Sequence, residues 1–478
     1  MKNKFSSFII LFMGMFMLVS CLKSNDDEVI YYDDTAITSF TLGTLNRYLH
    51  TTSSTGADSV YKTTLDCSKY VFYIDQANRL IYNPDSLPIG IDASKVLSTV
   101  TSKNSGVVLI NLKTKDKTKD SLVYHSSTDS IDFTEPVEFR VYNNAGSAYR
   151  TYMVHVNVHQ EKSSVFNWSQ VAESDALVAS MQGMRMLAYD GKIWMMGNEG
   201  TGARLYVSET SKPLTWRLVS QETYSADAYK NFALCLGLPT FLSGGNIYQY
   251  YKNEENYECK TITNSSVVNL VGGTEKDLYG FSADGKLMKA SSFSDVWNEV
   301  SLDANGEWLP KQDVNFVSLP SKTNRQVNKL LLIGNREVSE YPSDTCAVVW
   351  GKVDEEAEGS MNQPWSYYTT DRKDKYRLPR LANLQIVKYN DGMLAIGGNN
   401  VNGTTKAFSQ FYKSIDEGLT WTNDTTYQFP KGFSSNTSIF SIMCDEDNFI
   451  WLFGGGTGQV WKGRLSDLGW RKEQRAFE

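Results

Sequence analysis

The sequence predicts an all-β chain: a small β-sandwich followed by a six-bladed β-propeller, with seven blades as the alternative count. Two observations predict it. Short runs that alternate apolar and polar residues, separated by turn residues, fill positions 34–160. A longer unit, built from an apolar run, a glycine, an aromatic strand and a tryptophan strand, then recurs over positions 165–478.

Ahead of both lies a leader. Lys2 and Lys4 precede Phe8–Val19, an uncharged apolar run too short to cross a bilayer core, which needs about 20 residues. The run stops at Leu18-Val19-Ser20-Cys21, which resembles the bacterial lipobox. Residues 1–20 are therefore expected to be removed and Cys21 to be lipidated. Its thiol would take a diacylglyceryl group and its freed amine a further acyl chain, and stable anchoring requires more than one chain. Residues 21–33 read as an acidic tether, because Lys23-Ser24-Asn25-Asp26-Asp27-Glu28 offers no apolar surface to bury. A lysine followed by acids just after the cysteine resembles the surface-export signal of Bacteroidota-type lipoproteins. That implies an outer-membrane protein facing outward, with a periplasm-facing one as the alternative.

In positions 34–160 the strands are expected at Val71–Ile74, Val107–Ile110, Val137–Tyr142 and Tyr152–Val158. Gly56, Pro84-Asp85, Asn104-Ser105-Gly106 and Asn143-Asn144-Ala145-Gly146 supply turns between them. Short strands at this spacing suggest an immunoglobulin-like sandwich. Leu87–Asp92 with Lys95-Val96, then Ile131–Val137, then Tyr149–Val154 resemble immunoglobulin-like modules of Bacteroidota-type surface lipoproteins. Ile91 departs from the threonine usual there. The resemblance implies a spacer or docking domain without catalysis. Asp34-Thr35-Ala36, Asp58-Ser59-Val60, Asp85-Ser86-Leu87, Asp120-Ser121-Leu122 and Asp129-Ser130-Ile131 resemble the O-glycosylation acceptor of such envelopes, although Asp-Ser is also ordinary turn chemistry.

The recurring unit starts with Ile193–Gly197, leading to Tyr206 and Trp216. It returns at Phe241–Gly245 with Tyr248 and Tyr257, and at Leu278–Gly280 with Leu287 and Trp297. It returns again at Leu331–Gly334 with Trp350 and Trp365, at Met393–Gly398 with Tyr412 and Trp421, and at Ile450–Gly455 with Trp461 and Trp470. Each unit spans about 50 residues, the period of a four-stranded propeller blade. One such sheet cannot bury both faces alone, so blades stack around an axis. Asn167–Val171 reads as a fourth strand that could close the ring against the C-terminal blade.

Gly244-Gly245, Gly397-Gly398 and Gly454-Gly455 give the units a resemblance to kelch-type propellers. Ser414, Asp416, Gly418, Thr420 and Trp421 resemble the Asp-box of sialidase-like propellers, a turn-fixing device rather than a catalytic one; Ser208–Trp216 is a worn copy. Taken together, nearly the whole mature chain resembles an uncharacterised family of Bacteroidota-type lipoproteins whose domains have no assigned function.

The composition excludes several roles. Net charge is −7 with no basic block, so no nucleic-acid partner is expected. The four histidines stop at His159, which leaves the propeller without the commonest general base and metal ligand. His155 and His159 are expected to share one strand face. Cys67, Cys235, Cys259, Cys346 and Cys444 show no zinc spacing. Cys235 and Cys259, on the first and fourth strands of one blade, would lie roughly 14 Å apart, beyond disulfide reach. A sialidase needs an arginine triad; Arg185, Arg204, Arg336, Arg377 and Arg380 are present, but the family's entry motif is not. No metal, no cofactor and no catalysis are therefore expected, a degenerate glycosidase being the enzymatic alternative.

Binding is the expected activity. A propeller presents its 4–1 and 2–3 connections on one face. Tyr224, Tyr229, Trp308, Tyr376, Arg377 and Arg380 on the former, and Arg336, Asn399 and Asn400 on the latter, are the candidate ligand-binding residues. The ligand would be a glycan or a partner in a nutrient-uptake complex. A scaffold that docks another envelope protein is the competing expectation.

Overall fold

The computed structural model describes residues 34–52, 58–113, 120–321, 324, 327–355, 363–369, 376–399, 408, 410–423, 425–434 and 438–470. The leader, Cys21, the tether, the Gly56 turn and Asn400 lie outside the described residues. The chain divides into two compact units between Lys162 and Ser163.

The N-terminal unit is β throughout. Its strands are β1 (Ile37–Leu42), β2 (Thr44–Thr52), β3 (Asp58–Asp66), β4 (Tyr73–Asp75), β5 (Leu80–Tyr82), β6 (Ser98–Ser102), β7 (Val108–Lys113), β8 (Asp120–Tyr124), β9 (Val137–Tyr142) and β10 (Tyr149–His155). Six of them form one sheet in the order β4-β5-β10-β9-β7-β8, with β5 and β10 parallel. Strands β1 and β6 pair separately, and β2 and β3 form a hairpin. The alternation read from the sequence is the cause of the layering. Val137, Phe139 and Val141 of β9 turn inward and meet Ile37, Phe40 and Leu42 of β1 in one core. Phe40 packs edge-on against Phe139 with ring centroids 6.0 Å apart. The buried Tyr152 hydroxyl donates to Gln76 Oε1 at 2.6 Å, so its burial leaves no donor unmet.

One expectation fails here. Strand β10 ends at His155, and His159 lies past it, buried, with its backbone N–H donating to Leu87 O. The two histidines therefore do not share a strand face. The bridge between Val158 and Leu87 redirects the chain between them.

The second unit begins with β11 (Phe166–Ala172) and continues as six four-stranded sheets. Blade one is β12 (Gly183–Tyr189), β13 (Lys192–Asn198), β14 (Ala203–Glu209) and β15 (Arg217–Leu218). Blade two is β16 (Ala233–Cys235), β17 (Leu238–Ser243), β18 (Asn246–Asn253) and β19 (Asn256–Ile262). Blade three is β20 (Val267–Gly273), β21 (Asp277–Ser282), β22 (Leu287–Ser291) and β23 (Asn298–Glu299). Blade four is β24 (Gln312–Pro320), β25 (Val327–Asn335), β26 (Val348–Glu355) and β27 (Ser366–Tyr367). Blade five is β28 (Gln385–Tyr389), β29 (Gly392–Ile396), β30 (Tyr412–Ser414) and β31 (Thr422–Asn423). Blade six is β32 (Phe440–Cys444), β33 (Ile450–Gly454) and β34 (Val460–Leu465), completed by β11.

The first strands of blades two to six adjoin in turn, β32 adjoins β12, and β12 meets blade two at β17 and the segment before β16, so the ring closes at six and the seven-bladed count is set aside. The fourth strand expected at Asn167–Val171 is β11, which pairs with β34 from Phe166↔Leu465 to Ala172↔Val460. Gly463 faces it because a Cβ there would lie 2.5 Å from the Trp168 ring. At the β17–β18 hairpin, Gly244 and Gly245 both take positive φ, which side chains resist.

Apolar residues weld each pair of blades. Met184, Met186 and Met195 of blade one pack on Met443, Trp451 and Phe453 of blade six. Near the axis, polar side chains on the first strands or just before them staple one blade to the next. The Asn231 carboxamide oxygen accepts from Leu270 N, Asn315 joins Leu384 O and Ile386 N, and Gln385 joins Phe440 O and Ile442 N. Ser441 Oγ then accepts from Met186 N across the closing junction. These side chains supply buried backbone groups with partners that no ladder provides.

Cys235 and Cys259 sit on the first and fourth strands of blade two, and all five described cysteines are free. Burial pushes the Cys444 thiol up to about 12, which leaves it protonated and inert. Among the described residues no helix is long and apolar enough to cross a membrane, and no group of three or more acidic, histidine or cysteine side chains is placed to hold a metal.

Candidate functional site

Only some of the residues expected on the 4–1 and 2–3 face are available to a ligand. Tyr224 is buried: its hydroxyl shares a 2.7 Å hydrogen bond with Tyr250, and its ring lies edge-on to Phe241. Arg336 is buried too, bound to both Asp344 carboxylate oxygens at 2.7 Å. Its guanidinium lies between the rings of Trp308 and Tyr341, at 4.0 and 3.6 Å from their centroids. Arg380 is 1% exposed and donates to the carbonyls of Tyr341, Asp344 and Arg336. These three are corrections to the sequence reading. Loop arginines read as exposed, but here a carboxylate and two rings enclose Arg336 and loop carbonyls enclose Arg380.

Trp308 is partly buried and stacks on Tyr367 with centroids 5.2 Å apart, while its carbonyl accepts from Trp350 Nε1. Tyr376 and Asn399 are exposed and Arg377 is half-buried. Arg377 borders a cleft of about 10 Å³, room for no more than one water.

Residues Ser414 to Trp421 form a closed hairpin between β30 and β31. Ser414 Oγ donates to Asp416 and accepts from Gly418 N, and Asp416 takes both the N–H and the hydroxyl of Thr420. Trp421 Nε1 donates to Gly418 O beneath, and Gly418 has φ +84.

A different site emerges on the axis. Each inner strand begins where a 4–1 connection ends, and the residues at those starts surround a funnel of about 330 Å³. Arg185 comes from β12, Tyr229 and Lys230 from the segment before β16, Asn269 from β20, and Lys311, Gln312 and Asp313 from the start of β24. Asn383 and Ser438 complete the rim from the segments before β28 and β32. The Arg185 guanidinium donates to Asn315 Oδ1 at 3.0 Å, from blade one to blade four, and so spans the axis. Beyond it a second cavity of about 480 Å³ runs toward the other face, lined by Met186, Phe232, Phe316, Ile386 and Met443 among others.

Asp313 and Asn383 hold φ at +50 and +52, strained for residues other than glycine at about 1–3 kcal/mol each. Burial raises the Asp313 carboxyl above its ordinary value, against the Asn335 amide that donates to it at 3.0 Å. Burial lowers Arg185 and Lys311. Lys311 donates to Gly285 O and lies 4.3 Å from the Phe281 ring centroid.

Asp313 carries a pH prediction. Its raised value means the folded state holds the proton more tightly than the unfolded one. Its contribution is therefore complete below the ordinary aspartate value of 3.8 and is lost as pH rises through the folded value. Asp313→Asn is expected to raise the melting temperature at pH 8 and to leave it unchanged near pH 3, as read by calorimetry. An equal change at both pH values would contradict the assignment.

The fold and the funnel together define a β-propeller protein with an N-terminal β module. The chain matches the family described as DUF6242 beta propeller domain over residues 162–473, and the DUF6242 N-terminal domain, of unknown function, over residues 40–156. It belongs to that family. No curated protein sequence matches the chain. Among solved structures it is similar to a Trichoderma reesei carbohydrate-active enzyme of family AA12, at 12% identity and TM-score 0.39, over 65% of this chain and all of that one. It is also similar to the Cps50 (Swd1) β-propeller domain of Myceliophteria thermophila, at 6% identity and TM-score 0.34, over 62% of this chain and 98% of that one. TolB from Acinetobacter baumannii aligns at 9% identity and TM-score 0.28, over 88% of this chain and 79% of that one.

Proposed function

We propose that this chain is a non-enzymatic, lipid-anchored protein of the bacterial outer membrane, exposed at the cell surface. Its propeller binds a glycan or a protein of a nutrient-uptake complex through the 4–1 face. The observation that supports this is the axial funnel, which gathers cations, amides and a tyrosine around one concave space. The N-terminal unit serves as an immunoglobulin-like spacer. Lipid on Cys21 holds the chain to the membrane.

The scaffold reading has one observation in its favour. Strand β8 is the edge of the six-stranded sheet and leaves Leu122, Val123 and Tyr124 exposed, a surface another protein could cover.

A glycan array probed with the soluble fragment from Asp26 onward tests binding, repeated with Tyr376→Ala and Arg377→Ala. Signal that fades in either variant supports a ligand on the 4–1 face. A blank array with folded protein favours the scaffold. Cys21→Ala is expected to move the protein from the membrane fraction to the soluble one; unchanged fractionation would count against the anchor.

A further inference from the structure

We propose that the axial funnel is a receptor for a carboxylate-bearing, hydroxylated ligand, with Arg185 at its floor and Lys230 and Lys311 in its walls. The inference rests on the reading of the propeller as a binding module and names the ligand class of its central site.

Charge is the first argument. The protein is acidic overall, with net charge −7, yet its funnel is lined by three cations and one carboxyl, Asp313. Among the described residues none of the three cations forms an ion pair, whereas elsewhere in the propeller Arg336 pairs with Asp344 and Lys289 with Asp277. The other acids that influence Lys311 are Asp284 and Glu340, outside the funnel lining.

Donor accounting is the second. A guanidinium carries a fork of N–H donors suited to a planar anion. Arg185 spends one on Asn315 Oδ1, an oxygen already engaged by Ile386 N. The rest of the fork has no hydrogen-bond acceptor among the described residues. A desolvated cation with unused donors lowers its energy by taking an anion.

The neighbours argue for a carboxylate rather than phosphate. Tyr229, Asn269, Gln312 and Asn383 offer neutral groups that suit hydroxyls, and Asp313 opposes a second negative charge. The volume, about 330 Å³, lies at the low end of small-ligand sites. Two sources fit this chemistry: the uronate end of a glycan and a free hydroxy acid.

Isothermal titration of the full chain with galacturonate, gluconate, galactose and inorganic phosphate tests it. One of the two acids is expected to bind, with galactose weaker by about tenfold or more, the usual worth of a charge-assisted hydrogen bond. Galacturonate over gluconate assigns the glycan end, and the reverse assigns the free acid. Arg185→Gln is expected to lose about tenfold in affinity. Lys230→Ala alters an exposed side chain that the fold does not need and is expected to weaken the acid selectively. Galactose binding as tightly as galacturonate, phosphate outcompeting both acids, or full affinity in both variants would overturn the proposal. If no probe binds while larger neutral glycans score on the array, the proposal falls alone. If neither binds, the binding reading falls with it.

Discussion

Deleting residues 163–172 is expected to abolish the cooperative melt of the propeller. The segment contains β11, the outer strand of the sixth blade and the one strand of that blade that precedes the other five blades in the chain. Its side chains do more than complete a ladder. The Phe166 ring lies 4.9 Å from Trp168, 5.9 Å from Tyr389 and 5.8 Å from Tyr427, and Trp168 stacks on Phe411 while its indole N–H donates to Gln428 O at 2.8 Å. Full burial of a large apolar side chain is worth about 1.5–3 kcal/mol; Phe166 and Trp168 are partly buried and supply the lower end of that range, to which the lost strand pairing adds. The sum is on the order of 5 kcal/mol, comparable with the net stability of a whole domain. Removal also bares the edge of β34, an invitation to aggregate. Circular dichroism melting and size-exclusion chromatography should show a broad, early transition and soluble aggregate. A synthetic peptide of the segment, added back, should restore the sharp melt. A truncated protein with the parental melting temperature would show that the ring does not depend on this strand.

Arg380→Met is expected to destabilise the protein by about 2–4 kcal/mol, the cost of leaving buried carbonyl acceptors without a donor. The side chain is 1% exposed, and its loss would leave the carbonyls of Tyr341, Asp344 and Arg336 short of a donor. The same loop holds the Arg336–Asp344 pair that supports the Trp308 stack, so the damage should spread to that cluster. Arg380→Lys should recover only part of the loss, because one ammonium cannot reach all three carbonyls. Urea unfolding reads both variants. A shift below about 1 kcal/mol for the methionine variant would mean the carbonyls find water instead.

The sequence made the propeller legible because its signals are local. Ile193–Gly197, Leu331–Gly334 and Ile450–Gly455 each announce a second strand, and aromatic residues mark those that follow. Even the closing strand could be read, since Asn167–Val171 carries the pattern of an outer strand without the rest of a blade. The N-terminal unit was harder. The β2–β3 hairpin is mostly threonine, serine and charged residues, with both faces largely open, so it lacks the apolar alternation that betrays a strand.

The funnel was missed for a different reason. Arg185, Lys230, Lys311 and Asp313 are far apart in sequence, and only ring closure brings them together. A signal did exist. Arg185, Lys230, Asn269, Asp313, Asn383 and Ser438 place a polar residue at or near the start of the inner strand in all six units. Conversely, Tyr224, Arg336 and Arg380 looked exposed because their partners, the Tyr250 hydroxyl, the Asp344 carboxylate, loop carbonyls and neighbouring rings, are not revealed by sequence patterns.

The pairing of β11 with β34 also governs the order in which the molecule can be made. Ser169 Oγ donates to Lys462 O, two residues separated by 293 positions along the chain. Contacts of such sequence separation form late, because the loop between them must first be brought together. During synthesis β11 emerges before any of the blades, then waits unpaired until the final strand appears. Blades one to five can assemble progressively in that interval, each against its predecessor, but none of them can complete the circle. The pairing of β34 with β11 is thus the step that commits the propeller to its native form, and refolding in vitro should be limited by that single closure rather than by the formation of the individual blades.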